Sequence, residues 1–115
     1  MSTEPLITET IGDVLVMTPT IRLDAVGVKA IETGVSDAIV AHKGNIIVDM
    51  SNVTFVASLA LRMLLTNLKI VQPLGGDVRL CGLQPTVAEV FRKSRFDSLF
   101  KMFVDRDAAL ASYHK

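Results

Sequence analysis

Ile46-Ile47-Val48-Asp49-Met50-Ser51-Asn52-Val53-Thr54-Phe55-Val56-Ala57-Ser58-Leu59-Ala60-Leu61 is the stretch that decides how this chain folds. Its first three residues form an unbroken β-branched run, the composition of a central strand covered on at least one face. The strand delivers Asp49 at its C-terminal end. A short link through Asn52, Val53 and Phe55 then leads to a helix that begins near Ser58. Leu61, Leu64, Leu65, Leu68 and Val71 recur at steps of three and four and supply its buried side, and Pro73 with Gly75-Gly76 closes it. A buried strand feeding a helix of this length is half of a parallel crossover, which predicts an α/β layer.

Upstream, Leu6 to Thr10 and Val14 to Thr18 read as two strands of a hairpin around Ile11-Gly12-Asp13, and Pro19 ends the second. Asp24 has the place and chemistry of a helix N-cap. From Ala25 to Ala41, Val28, Ile31, Val35, Ala38 and Ile39 make one apolar stripe, weakened by Gly27 and Gly34, and Lys43-Gly44 stops it. Downstream, Val78 to Cys81 forms a strand, and Pro85 opens a helix that runs to about Ser94. Lys101 to Val104 reads as a last strand, and Asp107 to Tyr113 as a terminal helix. The order ββαβαβαβα predicts a single domain over residues 1–115, with a mixed, mostly parallel sheet of four to five strands and about four helices.

Composition narrows the function. Half of the 115 residues are hydrophobic and 21% are charged, so the chain is no solvated tail and can build one core. Twelve basic side chains balance twelve acidic ones without a block of either sign, which disfavours direct nucleic-acid binding through phosphates. The start, Met1 to Pro5, has no basic region of the kind that opens an export signal. The most apolar window, Phe55 to Leu65, is too short to span a bilayer and carries Ser58 and Arg62. A cytoplasmic domain with no membrane insertion is the expectation.

Catalytic constellations are thin. Gly75-Gly76 precedes a strand rather than following one, so it is no phosphate cradle. His42 and His114 lie far apart in sequence and suggest no metal site. Cys81 ends an apolar strand and reads as a buried, inert thiol. Asp49 lacks the neighbouring acidic pair of a phosphoacceptor aspartate and reads as a support for the loop that follows it. Ser58 carries two readings. One is a helix cap, worth about 1 kcal/mol. The other is a phosphorylation site, where a phosphate would meet free N–H groups and the positive end of the helix dipole, with Arg62 one turn on.

Asp49 to Leu61 also resembles the signature of STAS domains, specifically the bacterial anti-sigma factor antagonists. That signature runs from an Asp-aliphatic-Ser triplet through an aromatic to an Asp-Ser pair, with a glycine two residues later. Arg22-Leu23-Asp24 resembles the family's approach to its first helix, and Gly75-Gly76-Asp77-Val78-Arg79-Leu80 resembles its Gly-Gly strand. Val90 to Phe100 and Asp107-Ala108-Ala109-Leu110 match later segments in the same order. The chain departs from the pattern at Ala57, where the family has aspartate, and at Ala60, Ile21 and Arg95, where it has glycine. Ala57 removes a carboxylate beside the acceptor hydroxyl, and with it a local repulsion against phosphate.

The resemblance implies a switch without catalytic activity and without cofactor or metal. The unmodified form would bind an anti-sigma factor serine kinase, phosphorylation at Ser58 would release it, and a phosphoserine phosphatase would reset it. Asp24, Ala57, Ser58 and Leu59 would form the docking surface, with Arg62, Met63, Thr66 and Asn67 as its rim, and the protein would be a monomer. The alternative is a STAS accessory subunit of a transport system, a permanent interaction module with no phosphorylation step. A small α/β enzyme is a third class, disfavoured because no acid–base pair or cofactor motif is present.

Overall fold

Side-chain alternation along three parallel strands sorts the core onto the two faces of one sheet. In the computed structural model, which describes residues 4–114, the elements are β1 (Leu6–Ile11), β2 (Val14–Pro19), α1 (Ala25–His42), β3 (Asn45–Asp49) and α2 (Ser58–Val71), followed by β4 (Asp77–Cys81), α3 (Pro85–Lys93), β5 (Met102–Phe103) and α4 (Arg106–Tyr113). The sheet order is β1-β2-β3-β4-β5. β1 is antiparallel to β2, and every other pair is parallel. The order and type of elements are those expected from the sequence.

Leu15 and Met17 of β2, Ile46 and Val48 of β3, and Val78 and Leu80 of β4 face one way, into a core shared with α1, α2 and α3. Their neighbours Val14, Val16, Ile47 and Cys81 face the other way, onto Ala109 of α4. The β-branched run thus serves a strand covered on both faces, where its composition asked for at least one. Phe91 and Phe100 meet edge to face at 6.4 Å and close the end of the larger core.

One boundary and two backbone conformations add to the expectation. β5 is two residues long rather than four: Met102 and Phe103 pair with Leu80 and Cys81, the Lys101 and Phe103 carbonyls accept from the Leu80 and Gly82 N–H groups, and Lys101 and Val104 are exposed. α1 stops at Lys43-Gly44 as expected, with Lys43 in the left-handed region at φ 58° and its N–H on the Ile39 carbonyl. Arg95, at the family's glycine position, is also left-handed at φ 64°, so the backbone there has kept a conformation that glycine would hold without strain.

Gly27 looks like a weak point in a helix, yet it is required. A Cβ there would lie 1.8 Å from the Arg22 carbonyl oxygen, because the lead-in to α1 folds back across its first turn. Gly27→Ala is therefore expected to destabilise by about 1–3 kcal/mol in urea unfolding, although helix propensity alone favours alanine by about 1 kcal/mol. A more stable variant would show that the close approach is not tight.

Candidate functional site

Two helix starts are tied together by a single backbone bridge. Leu23 and Val56, both buried, pair as an isolated parallel bridge. The Leu23 N–H donates to the Phe55 carbonyl and the Ala57 N–H to the Leu23 carbonyl, each at 2.9 Å. Asp24 and Ala57, the residues after these contacts, therefore begin α1 and α2 side by side. Asp24 caps α1 as its sequence position suggests, its Oδ1 accepting the Gly27 N–H at 2.8 Å. The Arg22 guanidinium lies 4.6 Å over the Phe55 ring and joins the two segments from outside.

Ser58 is not the cap. That position belongs to Ala57, extended at φ −97° and ψ 167°, and Ser58 is the first helical residue. The shift has a physical cause. The bridge holds Ala57 in the extended region, and the Ala57 carbonyl then accepts the first helical bonds, from Ala60 at 2.9 Å and Leu61 at 3.3 Å. Alanine has no side-chain oxygen, so α2 starts without a side-chain cap. Ser58 is exposed, and among the described residues neither its hydroxyl nor the N–H groups of Ser58 and Leu59 have a protein partner.

Leu59, Arg62, Met63 and Thr66 line one wall of an open groove of about 430 Å³ between α2 and α1. Asn67 lines it too, but it is no exposed rim. Only 5% of it is accessible, and its Nδ2 donates to the Met63 carbonyl at 2.8 Å. The signal was present in the sequence, since Asn67 lies three residues after Leu64 and four before Val71, on the buried stripe. The opposite wall, carrying Glu32 and Asp37 of α1, was not singled out from sequence.

Asp49 is buried beneath the loop that leads to this site. Its Oδ1 accepts the Ser51 N–H at 3.0 Å, and the Ser51 carbonyl accepts from Gln84 Nε2 at 2.9 Å. Its other oxygen accepts from Arg106 Nε at 3.3 Å and Nη2 at 3.1 Å. Arg106, at the start of α4, also donates to Thr18 and Glu9, so one guanidinium joins three strands. No local pattern predicts a pair 57 residues apart. Burial pushes the Asp49 carboxyl up, but Ser51 and Arg106 together outweigh it and hold the pKa below the ordinary value. Burial, reinforced by the Asp49 charge, pushes the Cys81 thiol up to about 12.

The histidines, distant in sequence, both reach the β1–β2 turn. His42 Nε2 lies 2.9 Å from the Asp13 carbonyl and His114 Nε2 lies 3.2 Å from Asp13 Oδ1. Among the described residues, no group of three or more His, Cys, Asp or Glu side chains is arranged to hold a metal ion. No helix of the described residues is long and apolar enough to cross a membrane.

Comparison with known proteins bears on this geometry. The STAS domain profile matches residues 5–109. A protein of Bordetella bronchiseptica assigned as an anti-sigma factor antagonist, BtrV, is 34% identical over 68 residues, which is 59% of this chain and 59% of BtrV. The matched part is thus about three fifths of that relative's length. A Thermotoga maritima protein assigned as an anti-sigma factor antagonist superposes with a TM-score of 0.88 at 19% identity, covering 96% of this chain and 95% of that one. Bacillus SpoIIAA, an anti-sigma factor antagonist solved in its unphosphorylated form, gives 0.81 at 22% identity over 95% and 96% of the two chains. It has also been solved phosphorylated, where the TM-score is 0.72 at 21% identity over 94% and 98%. At these identities the structures share the fold.

The Arg106–Asp49 pair carries a pH signature. A carboxyl held low in the folded state stabilises fully above its ordinary value of 3.8, and that stabilisation drains as pH falls through the folded pKa. Arg106→Met is expected to cost about 1–3 kcal/mol near neutral pH. The gap to the parent should narrow in urea unfolding as pH falls through the aspartate range, roughly below 4. A gap independent of pH would mean that the pair contributes nothing through its charge.

Proposed function

The chain belongs to the STAS domain family, and we propose that it is an anti-sigma factor antagonist whose partner binding is switched by phosphorylation of Ser58. The observation that carries this reading is the exposed Ser58 hydroxyl at the first helical position of a helix without a side-chain cap. A phosphate there adds about −2 charges and three acceptor oxygens. It would face the unpartnered N–H groups of α2 and the positive end of its dipole, so the fold can take the modification without losing a core contact.

The unmodified form would dock an anti-sigma factor serine kinase through Asp24, Ala57, Ser58 and Leu59, with Arg62, Met63 and Thr66 alongside. Asn67 would act from beneath rather than at the rim. Transfer of the terminal phosphoryl group of ATP to the Ser58 oxygen, with ADP and the hydroxyl proton released, would then place between the two proteins a dianion that α2 accommodates but the kinase surface does not. Each 1.4 kcal/mol is tenfold in affinity, and a charge without a counterpart across the interface costs roughly two or three such steps, enough for release. A phosphoserine phosphatase would hydrolyse the ester and restore the docking form. In this scheme the chain itself does no chemistry.

The role of Ala57 follows from the cap geometry. Where the family's aspartate would cap the helix and repel an incoming phosphate, alanine leaves the N–H groups for the phosphate itself. Phosphorylation of this chain is therefore expected to raise its thermal midpoint, and Ser58→Asp to raise it by a smaller amount, as differential scanning calorimetry would measure. An unchanged or lowered midpoint would remove the capping role.

The switch itself is tested with an anti-sigma factor serine kinase that binds the chain. Incubation with ATP should add the mass of one phosphate to the parent and none to Ser58→Ala. Ser58→Ala should stay bound in ATP, and Ser58→Asp should lose at least tenfold in affinity while remaining folded. Phosphate on another residue, or equal binding of the two variants, would defeat the proposal.

A further inference from the structure

The groove between α1 and α2 shares Leu59, Arg62, Met63 and Thr66 with the docking surface and extends it to Val28, Glu32 and Asp37 of α1 and to Ile70. α1 and α2 start from one bridge and run parallel, so the trough continues from Leu59 to Ile70, about 16 Å or three helical turns. Its apolar lining is Val28, Leu59, Met63 and Ile70, and Leu59 and Ile70 remain 42% and 40% exposed. The walls differ in sign. α1 contributes Glu32 and Asp37, α2 contributes Arg62, and among the described residues none of the three has an ion-pair partner. Asn67 adds a polar point: its Nδ2 is used by the Met63 carbonyl, and its Oδ1 has no donor among the described residues.

From this arrangement we infer that the groove seats an amphipathic helix of the partner protein, with lysine or arginine toward Glu32 and Asp37 and an acidic residue toward Arg62. A trough walled by two parallel helices accepts a third helix by ridge-and-groove packing. Its opposite unpaired charges set the orientation in which that helix lies. The inference rests on the switch reading and deepens it, because Arg62 stands one turn from Ser58 and lines the groove, while Ser58 does not. Negative charge at position 58 would draw the Arg62 guanidinium to itself and take it from the partner's carboxylate.

The test uses the ¹⁵N-labelled chain and a synthetic peptide of about 16 residues, a helix with a leucine stripe flanked by lysines on one edge and glutamates on the other. Amide shifts on titration should fall on the groove-facing turns of α1 and on α2 from Leu59 to Ile70. The Asp37→Lys/Ile70→Glu variant should bind at least tenfold more weakly with an unchanged far-ultraviolet spectrum. Ser58→Asp should weaken binding about twofold, the size of a helical i,i+4 ion pair, and should do nothing in an Arg62→Ala background. Shifts elsewhere, no binding at millimolar peptide, or a self-associated species in sedimentation that the double variant abolishes would overturn the inference. The peptide needs no phosphorylation, so its failure leaves the Ser58 reading standing. Groove binding by a chain that a bound kinase does not phosphorylate would instead sink the switch and keep the groove.

Discussion

Two backbone hydrogen bonds around Leu23, one to Phe55 and one from Ala57, set the geometry on which the functional face depends. They bring two stretches more than thirty residues apart to the same line, so that α1 and α2 begin together and run side by side. Because Ala57 is held extended there, the first turn of α2 begins at Ser58 and its hydroxyl stands clear of the backbone it might have capped. Next to the same bridge, the Arg22 carbonyl lies against the first turn of α1, which is why Gly27 sits where a helix would otherwise favour alanine. Exposure of the serine and the side-by-side start of the groove's two walls thus meet at one bridge.

Much of this was legible in the residues. Periodicity separated strands from helices because the buried stripes of α1 and α2 and the β-branched run of β3 are strong signals. The Asp24 cap was legible because its chemistry is local. The cap of α2 was misread by one residue for an instructive reason. Serine is a favoured cap and alanine is not, so residue type points to position 58, whereas a bridge to Leu23, invisible to local reasoning, decides for position 57. Asn67 was misread the other way, its polarity taken as exposure although its spacing lies on the buried stripe. Arg106 with Asp49, and the two histidines on Asp13, depend on the return of the chain over long separations and leave no local trace.

The second face of the sheet is covered by α4 alone, eight residues long with Ala109 as its one fully buried apolar residue. So thin a layer is secured at its ends by polar groups. At one end Arg106 spans Glu9, Thr18 and Asp49. At the other, the Tyr113 hydroxyl lies 2.8 Å from the Ile46 carbonyl and 2.9 Å from that of Asp77, and its one proton is shared between β3 and β4. Burial pushes the phenol pKa up, so Tyr113 remains a donor. Arg79 packs 3.9 Å over the Tyr113 ring while donating to Asp77 and Ser112. Asp49 therefore has two duties: it holds the loop toward Ser58 and it receives the anchor of α4.

Beneath that thin layer lies Cys81, the only thiol in the sequence. Sealed from water and with a pKa near 12, it presents almost no thiolate at physiological acidity. A maleimide or iodoacetamide can alkylate it only through an opening of this face, where Ala109, Leu110 and Tyr113 of α4 and Phe103 of β5 pack, so the labelling rate reports how often the face opens. Nature has thus supplied a spectator probe on the sheet face opposite the serine, and no reporter cysteine has to be engineered to follow it.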